Sequence, residues 1–401
     1  MAKVGVVMPV YYQEESYIRL AIQTVLDQSY RNFTFLIVID GAPDLLPLIQ
    51  SCIGGDPRVM IVSYPVNQGV AFALNYGFEI LMDQGYEYLT WVSTDNIYYR
   101  QFLATLVNTM DRADRKVGIV YSSFNQIFEN GKPAHTTDFL RTLRSWQNRP
   151  KEALLDGCII GPAFIHRAEY CRLVDGYRFK YIQDYDYWLR MTDICDIKYV
   201  PTELMDYRIN SPFSLSTHIA NDVTKHRLCW NEVHRAHYET RQRRGMPILF
   251  SALFVVKPGE VARAHSMLGN IIDQYETNCE IIVVSLTTQK EIEEIIEPFH
   301  DPRVRILYYI NHSINYALMK ALWRARADWC IVFDSEHAPP DPTFTRRMKE
   351  SNLMDAGRNA SISQVTDKMI ASNTITNLYE TMTVRSTMIS FVQGALQHAL
   401  N

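Results

Sequence analysis

Two carboxylates in the first hundred residues fall where apolar runs stop. Asp40 closes FTFLIVIDGAPD, and Asp95 lies in LTWVSTDNIYY after Leu89, Trp91 and Val92. Such a carboxylate has two uses. It can bond its own turn, as Asp and Asn commonly do, or it can hold a charged group. Three strand ends would bring Pro9, Asp40 and Asp95 to one rim, provided the strands are parallel neighbours.

The surrounding pattern predicts that arrangement. KVGVVMPVY is a Val-rich strand closed by Pro9, and SYIRLAIQTVLDQSY places Ile18, Ala21, Ile22, Val25 and Leu26 at helical spacing. FTFLIVID is apolar throughout, which suits a parallel strand covered on both faces. RVMIVSYP is a third strand, and VAFALNYGFEILMDQG is a helix stopping at Gly85. Alternating strands and helices define a doubly wound α/β sheet, whose ligands bind beyond the carboxyl ends of its strands. After residue 100 come the strand-like VGIVYSSFNQIF, GCIIGPAFIHR and IKYVPTELMDYRI, the acidic helix start YIQDYDYWLRM, and NSPFSLSTH as a loop.

Bulk properties narrow the class. The chain has 401 residues, enough for two domains, with 47% hydrophobic and 21% charged residues. A net charge of −4 provides no general basic field for nucleic acid. Seven scattered cysteines without a CxxC pair argue against a zinc site or disulfide framework and for a reducing, cytoplasmic setting. The N-terminal apolar run is too short for a signal peptide. ILFSALFVV is half a membrane span and reads as a buried strand, so no transmembrane segment is expected.

The chain then begins again. DPRVMIVSY from Asp56 returns as DPRVRILYY from Asp301, DQSYRNFTFLIVID as DQYETNCEIIVVSL from Asp273, and WVSTDN as IVFDSEH from Ile331. Order and spacing agree, which marks a repeat. Asp40 is set against Ser285, and the acidic turn against Asp334-Ser335-Glu336. The second copy lacks the strand and acidic helix that complete the first.

Together, VVMPVYYQEESYIRLAIQTVLDQSYRNFTFLIVIDGAPD, NQGVAFALNYG, STDNIYY, GPAFIHRAEYCRLVDGY and QDYDYWLR resemble family 2 glycosyltransferases of the GT-A fold. The turn is most similar to the spore coat polysaccharide synthesis type. The resemblance divides the chain into a GT-A domain (1–220), a helical linker (221–246), a degenerate GT-A-like domain (247–358) and a helical tail (359–401) that serves packing or a homodimer contact.

The resemblance implies an inverting transfer of a sugar from a nucleoside diphosphate donor to an acceptor hydroxyl, in surface polysaccharide or glycoconjugate synthesis. Asp40 would accept from a base imide, favouring UDP- or dTDP-sugars, with Pro9, Tyr11, Asn67 and Thr94 lining the nucleotide. Asp95 would bind Mn²⁺ or Mg²⁺ bridging the diphosphate, with His218 as a second ligand. Many relatives have Asp where this chain has Ser93 and Thr94, but such ions manage with one or two carboxylates plus phosphate and water. Asp184 would be the general base, its alternative role being a helix N-cap. Asp186 is the neighbouring alternative, and Gly161 and Pro162 would shape the acceptor floor. The acceptor is a glycan, a lipid-linked sugar or a peptide. The competing reading is a non-catalytic nucleotide- or glycan-binding protein on this scaffold.

Overall fold

The computed structural model describes residues 3–337, 339–357, 383–385, 388–389 and 392–393. Contacts divide the chain into two units between Glu232 and Val233. The first unit holds β1 (Val4–Val10), β2 (Phe33–Asp40), β3 (Val59–Tyr64), β4 (Tyr88–Trp91), β5 (Ile97–Tyr98), β6 (Val117–Ile127), β7 (Phe164–Arg167) and β8 (Asp196–Arg208). They form one mixed sheet in the order β3-β2-β1-β4-β7-β6-β8-β5. β1 is parallel to both β2 and β4, so Pro9, Asp40 and the turn after Trp91 emerge along one rim. β7 runs antiparallel to β4 and β6. The continuous apolar run of β2 is buried on both faces, as its composition requires. Helix Glu15–Leu26 buries the five apolar residues its spacing marked.

The second unit contains β9 (Phe250–Val256), β10 (Cys279–Ser285), β11 (Val304–Tyr308), β12 (Trp329–Phe333) and β13 (Thr383–Val384), in the order β11-β10-β9-β12-β13. This is the order β3-β2-β1-β4-β7 of the first unit. Even the antiparallel fifth strand matches: Val384 lies opposite Trp329 as Arg167 lies opposite Tyr88. The second copy therefore extends one strand further than its sequence indicated. Among the described residues it has no counterpart of β5, β6, β8 or the acidic helix.

The residues shared by the two copies make the same bonds. Arg58 pairs with Asp56 and donates to Leu26 O, the last residue of its helix; Arg303 pairs with Asp301 and donates to Ile272 O, again the last. An arginine here satisfies a helix-terminal carbonyl that has no intrahelical partner. Gln28 donates to Thr24 O and Tyr99 O and accepts from Leu103 N. Gln274 does the same with Asn270 O, Asp341 O and Thr345 N. The repeated DQ and DPR motifs thus tie the end of one helix to its sheet and to a later helix.

Two expectations change. The ladders pair Val10 with Ile39 and Val256 with Ser285, which makes Leu286, not Ser285, the equivalent of Asp40. The segment 221–246, expected as a helical linker, contains helix Val223–Arg243; Glu232 accepts from Lys180 N and Tyr181 N in the first unit, and His234 and His237 are buried beside Asp273 and Thr277 in the second. The predicted helical tail lies mostly outside the described residues. Within it Thr383–Val384 is a strand, and Met388 and Val392 are buried in the second core.

β7 also carries a buried liability. His166 packs among Phe78, Phe164, Tyr187 and Trp188, with neither ring nitrogen reaching a hydrogen-bond partner. Burial pushes its pKa down to about 4. The unfolded chain takes up this proton near pH 6.5 and the fold does not, so stability falls as pH drops from about 6.5 to 4. His166→Phe should remove that slope and raise the melting temperature at pH 5 relative to wild type, by thermal denaturation across pH 4–8.

Candidate active site

The rim begins with Asp40, which is 3% exposed. Its Oδ1 accepts from Gln68 N at 2.7 Å, and its Oδ2 from Gly69 N at 2.9 Å and Asn67 Nδ2 at 3.2 Å. Gly69 is the N-cap of helix Val70–Asp83 and has no side chain to cap with. Asp40 holds the loop that leads into this helix, at the end where the helix dipole favours an anion. Gly41 makes the approach feasible: it adopts φ +72°, and a Cβ there would lie 2.1 Å from Asn67 N. These bonds tie Asp40 to the 67–69 loop and use three of the roughly four acceptor positions of a carboxylate. In the second unit Ser313 caps the corresponding helix with its own hydroxyl, which accepts from Tyr316 N.

Asp95 sits in the turn between β4 and β5, 8% exposed. Its Oδ1 accepts from Ser93 Oγ at 2.5 Å. Burial raises its pKa, opposed by Ser93, Arg208 and Ser211. Arg208 holds the turn in place: Nε donates to Asp95 O, its own N–H donates to Asn96 Oδ1, and the guanidinium lies over the Tyr17 ring. Its Nη1 donates to Phe128 O and Glu129 O, which adds to its support of the turn.

Asp184 occupies the first turn of helix Gln183–Met191, whose N-cap is Ile182. It is therefore not the N-cap, and the capping explanation falls away. Its carboxylate accepts one hydrogen bond, from Trp91 Nε1 at 3.1 Å. Burial lifts its pKa to about 7, against the lowering effect of that bond. Trp91 ends β4, the strand that leads to Asp95. Burial raises the Tyr207 phenol, Ser216 opposes, and the charges of Asp95 and Asp184 add to the rise.

Asp186 has a different role from the one expected. It is 1% exposed and ion-paired with Arg178 at 2.6 Å and Arg190 at 2.8 Å. Arg190 also donates to Asp175 O and, at 2.5 Å, Gly176 O, clamping the loop before the helix. Asp186 is a structural anchor, unavailable to acceptor or sugar. Gly161 has φ +22°, and a Cβ there would meet the Phe124 ring at 2.7 Å, so the position favours glycine; Pro162 beside it is part-buried.

The remaining expected residues scatter. Pro9 is part-buried in β1, Tyr11 is exposed beyond it against Tyr12, Asn67 is exposed and bonded to Asp40, and Thr94 is part-buried in the turn. His218 is exposed within helix Leu215–Asn221, where a loop was expected. Among the described residues no group of three or more His, Cys, Asp or Glu could hold a metal. The donor set fits a divalent ion only where Asp95 adds one hard oxygen to an ion already carried by a diphosphate; it forms no separate metal centre, and nothing joins His218 to it.

The second unit's matching turn is closed from within. Asp334 accepts from Glu336 N, His337 N and His337 Nδ1, and Lys257 Nζ lies 3.4 Å away. Burial alone would raise Asp334, but these partners hold it below the usual carboxylate range.

Fold and site together define a nucleotide-sugar-transferase class of α/β protein. The model for glycosyl transferase family 2 matches residues 5–171 and 260–387, so the chain belongs to that family and carries its GT-A fold, with a second GT-A-like copy. An uncharacterized glycosyltransferase of Rickettsia typhi is 25% identical over 237 residues, covering 57% of this chain and 70% of that protein. One from Rickettsia conorii is 25% identical over 321 residues, covering 79% of this chain and 49% of its own length. Solved structures with a likeness include Staphylococcus aureus TarS in complex with UDP-GlcNAc (TM-score 0.44, 13% identity, 68% of this chain and 81% of that one). Another is the Pyrobaculum calidifontis mannosyltransferase in complex with GDP-Man and Mn²⁺ (TM-score 0.43, 16% identity, 61% and 73%). No helix among the described residues is long and apolar enough to cross a membrane.

Proposed function

We propose that the first unit transfers a sugar from a nucleoside diphosphate donor to an acceptor hydroxyl with inversion, and that Asp184 is the base. The observation that carries this is a single carboxylate with a pKa near 7, oriented by Trp91 on the strand that delivers Asp95. A base works best with a pKa near the operating pH. Asp184 takes the acceptor hydroxyl proton as that oxygen bonds to the anomeric carbon and the nucleoside diphosphate departs with the bonding pair. Asp95 would contribute one ligand to Mg²⁺ or Mn²⁺ on the diphosphate, and that ion would neutralise charge growing on the leaving group. The 67–69 loop held by Asp40 forms the nucleotide wall with Pro9, Tyr11 and Thr94. UDP- or dTDP-sugars, a glycan acceptor, a role in polysaccharide synthesis and a cytoplasmic location complete the proposal.

The second unit we assign to a non-catalytic part. It has Leu286 where Asp40 would be and an Asp334 already saturated by its neighbours. The test is nucleoside diphosphate release from a panel of nucleotide sugars, in wild type, Asp95→Ala and Glu336→Ala. Loss in Asp95→Ala alone supports the assignment. Loss in Glu336→Ala alone moves the active site to the second unit. Release from none would favour a non-catalytic binding protein.

A further inference from the structure

Asp184 accepts from Trp91, but the turn that carries it is seated by other groups. The N-cap of helix Gln183–Met191 is Ile182, whose side chain cannot bond the helix end. The chain leading into it, 175–182, is neither helix nor strand, so its backbone groups need partners from elsewhere. Arg190 donates to Asp175 O and Gly176 O. Asn75 donates to Tyr177 O at 2.9 Å and accepts from Tyr177 N at 2.7 Å. Glu232, on helix Val223–Arg243, accepts from Lys180 N on Oε1 at 3.2 Å and from Tyr181 N on Oε2 at 2.8 Å.

Glu232 makes the last of these contacts before Asp184. Burial raises its carboxyl, and the N–H groups of Tyr181, Lys180 and Ile182, with the Lys180 charge, pull it back. Its hold therefore reaches Ile182, two residues before Asp184. The residue type suits the task. A carboxylate accepts on both oxygens at once, where an amide has one, and an anion is favoured at this end of the helix dipole. Asp184 itself makes a single hydrogen bond, to Trp91 Nε1, so its place depends on where the backbone of its turn is set.

We propose that Glu232 is a positioning residue for the base: by holding the backbone of 180–182 it sets where the first turn of helix Gln183–Met191 presents Asp184 to Trp91. This rests on the transferase reading above. The test reads Asp184 directly. The full chain is labelled with [4-¹³C]aspartate, and the Asp184 carboxyl is assigned by its absence in Asp184→Asn. Its titration is followed in wild type, Glu232→Ala and Glu232→Gln, with kcat and KM for nucleoside diphosphate release measured alongside. In Glu232→Ala the midpoint should fall from about 7 toward the ordinary carboxylate value of about 4, because a released turn lets water reach the carboxyl. There kcat should drop about 10²-fold, the cost of a misplacement of about 1 Å, while donor KM and stabilisation by UDP stay as in wild type. Glu232→Gln keeps one acceptor oxygen and should lie between the two; it carries the test if the alanine variant does not fold. A lowered melting temperature with an unmoved Asp184 midpoint is the mark of a purely structural residue and overturns the inference, as does an unchanged kcat. A fallen midpoint in a chain whose wild type releases nucleoside diphosphate from no nucleotide sugar upholds the hold of Glu232 on Asp184 and removes the transferase reading.

Discussion

Asp184→Asn should lower transfer by about 10²–10⁴-fold, the range ascribed to a positioned acid–base group, and leave nucleoside diphosphate binding intact. Asn keeps the shape and can still accept from Trp91 Nε1, but it cannot take a proton. In the wild type the carboxyl has a pKa of about 7, so kcat/KM should fall roughly tenfold per unit as pH drops below that value. The same group lowers stability. Its folded pKa lies above its unfolded one, so the fold holds more protons than the unfolded chain between about pH 4 and 7. Stability therefore declines as pH rises through that window and levels off above it. Asp184→Asn removes this decline, and at pH 8 the variant should be more stable than wild type by on the order of 2 kcal/mol. A dead enzyme that melts later is the signature of a base held in a desolvated place. Activity comparable to wild type would eliminate the role.

Asp186→Ala should behave in the opposite way. The side chain is buried between Arg178 and Arg190, and Arg190 holds the backbone at Asp175 and Gly176. Removing one partner of a buried ion pair leaves uncompensated charge and costs about 3–5 kcal/mol. Urea denaturation should show that loss. Activity that remains should keep the wild-type pH limb, since Asp184 still sets it. Asp186→Ala with unchanged stability and abolished transfer would instead return Asp186 to the acceptor site.

Why two carboxylates two residues apart divide in this way was not legible in QDYDYWLR. On a helix they point in different directions, and the partners that decide the matter are remote in sequence: Trp91 for Asp184, Arg178 and the 175–176 loop for Asp186. What could be read was whatever local pattern determines. The apolar run of β2, the spacing of helix Glu15–Leu26 and the recurring DQ and DPR motifs gave the sheet and the repeat, because each acts through neighbours or through one short connection. Asp40 was placed correctly at the rim, but its bonds to the 67–69 loop were not visible, since they form only when β2 meets that loop. Trp91 and Tyr207 went unmarked as site residues. An aromatic at a strand end reads as core until the residue facing it is known. His218 was assigned through the resemblance, and the structure leaves it exposed on helix Leu215–Asn221. Asp40 was set against Ser285, yet the runs 27–40 and 273–286 aligned end to end already place it on Leu286, as the β-ladders do.

The most direct measurement is thermal stabilisation of the intact chain by UDP, dTDP, GDP, ADP and CDP, each with and without Mn²⁺, in wild type and Asp95→Ala. A ligand at a hundred times its Kd adds about 2.7 kcal/mol, a shift of a few degrees for units of this size. The account predicts a shift from one base, UDP or dTDP, that requires Mn²⁺ and vanishes in Asp95→Ala. Stabilisation by no nucleotide, or an equal shift in Asp95→Ala, would contradict it.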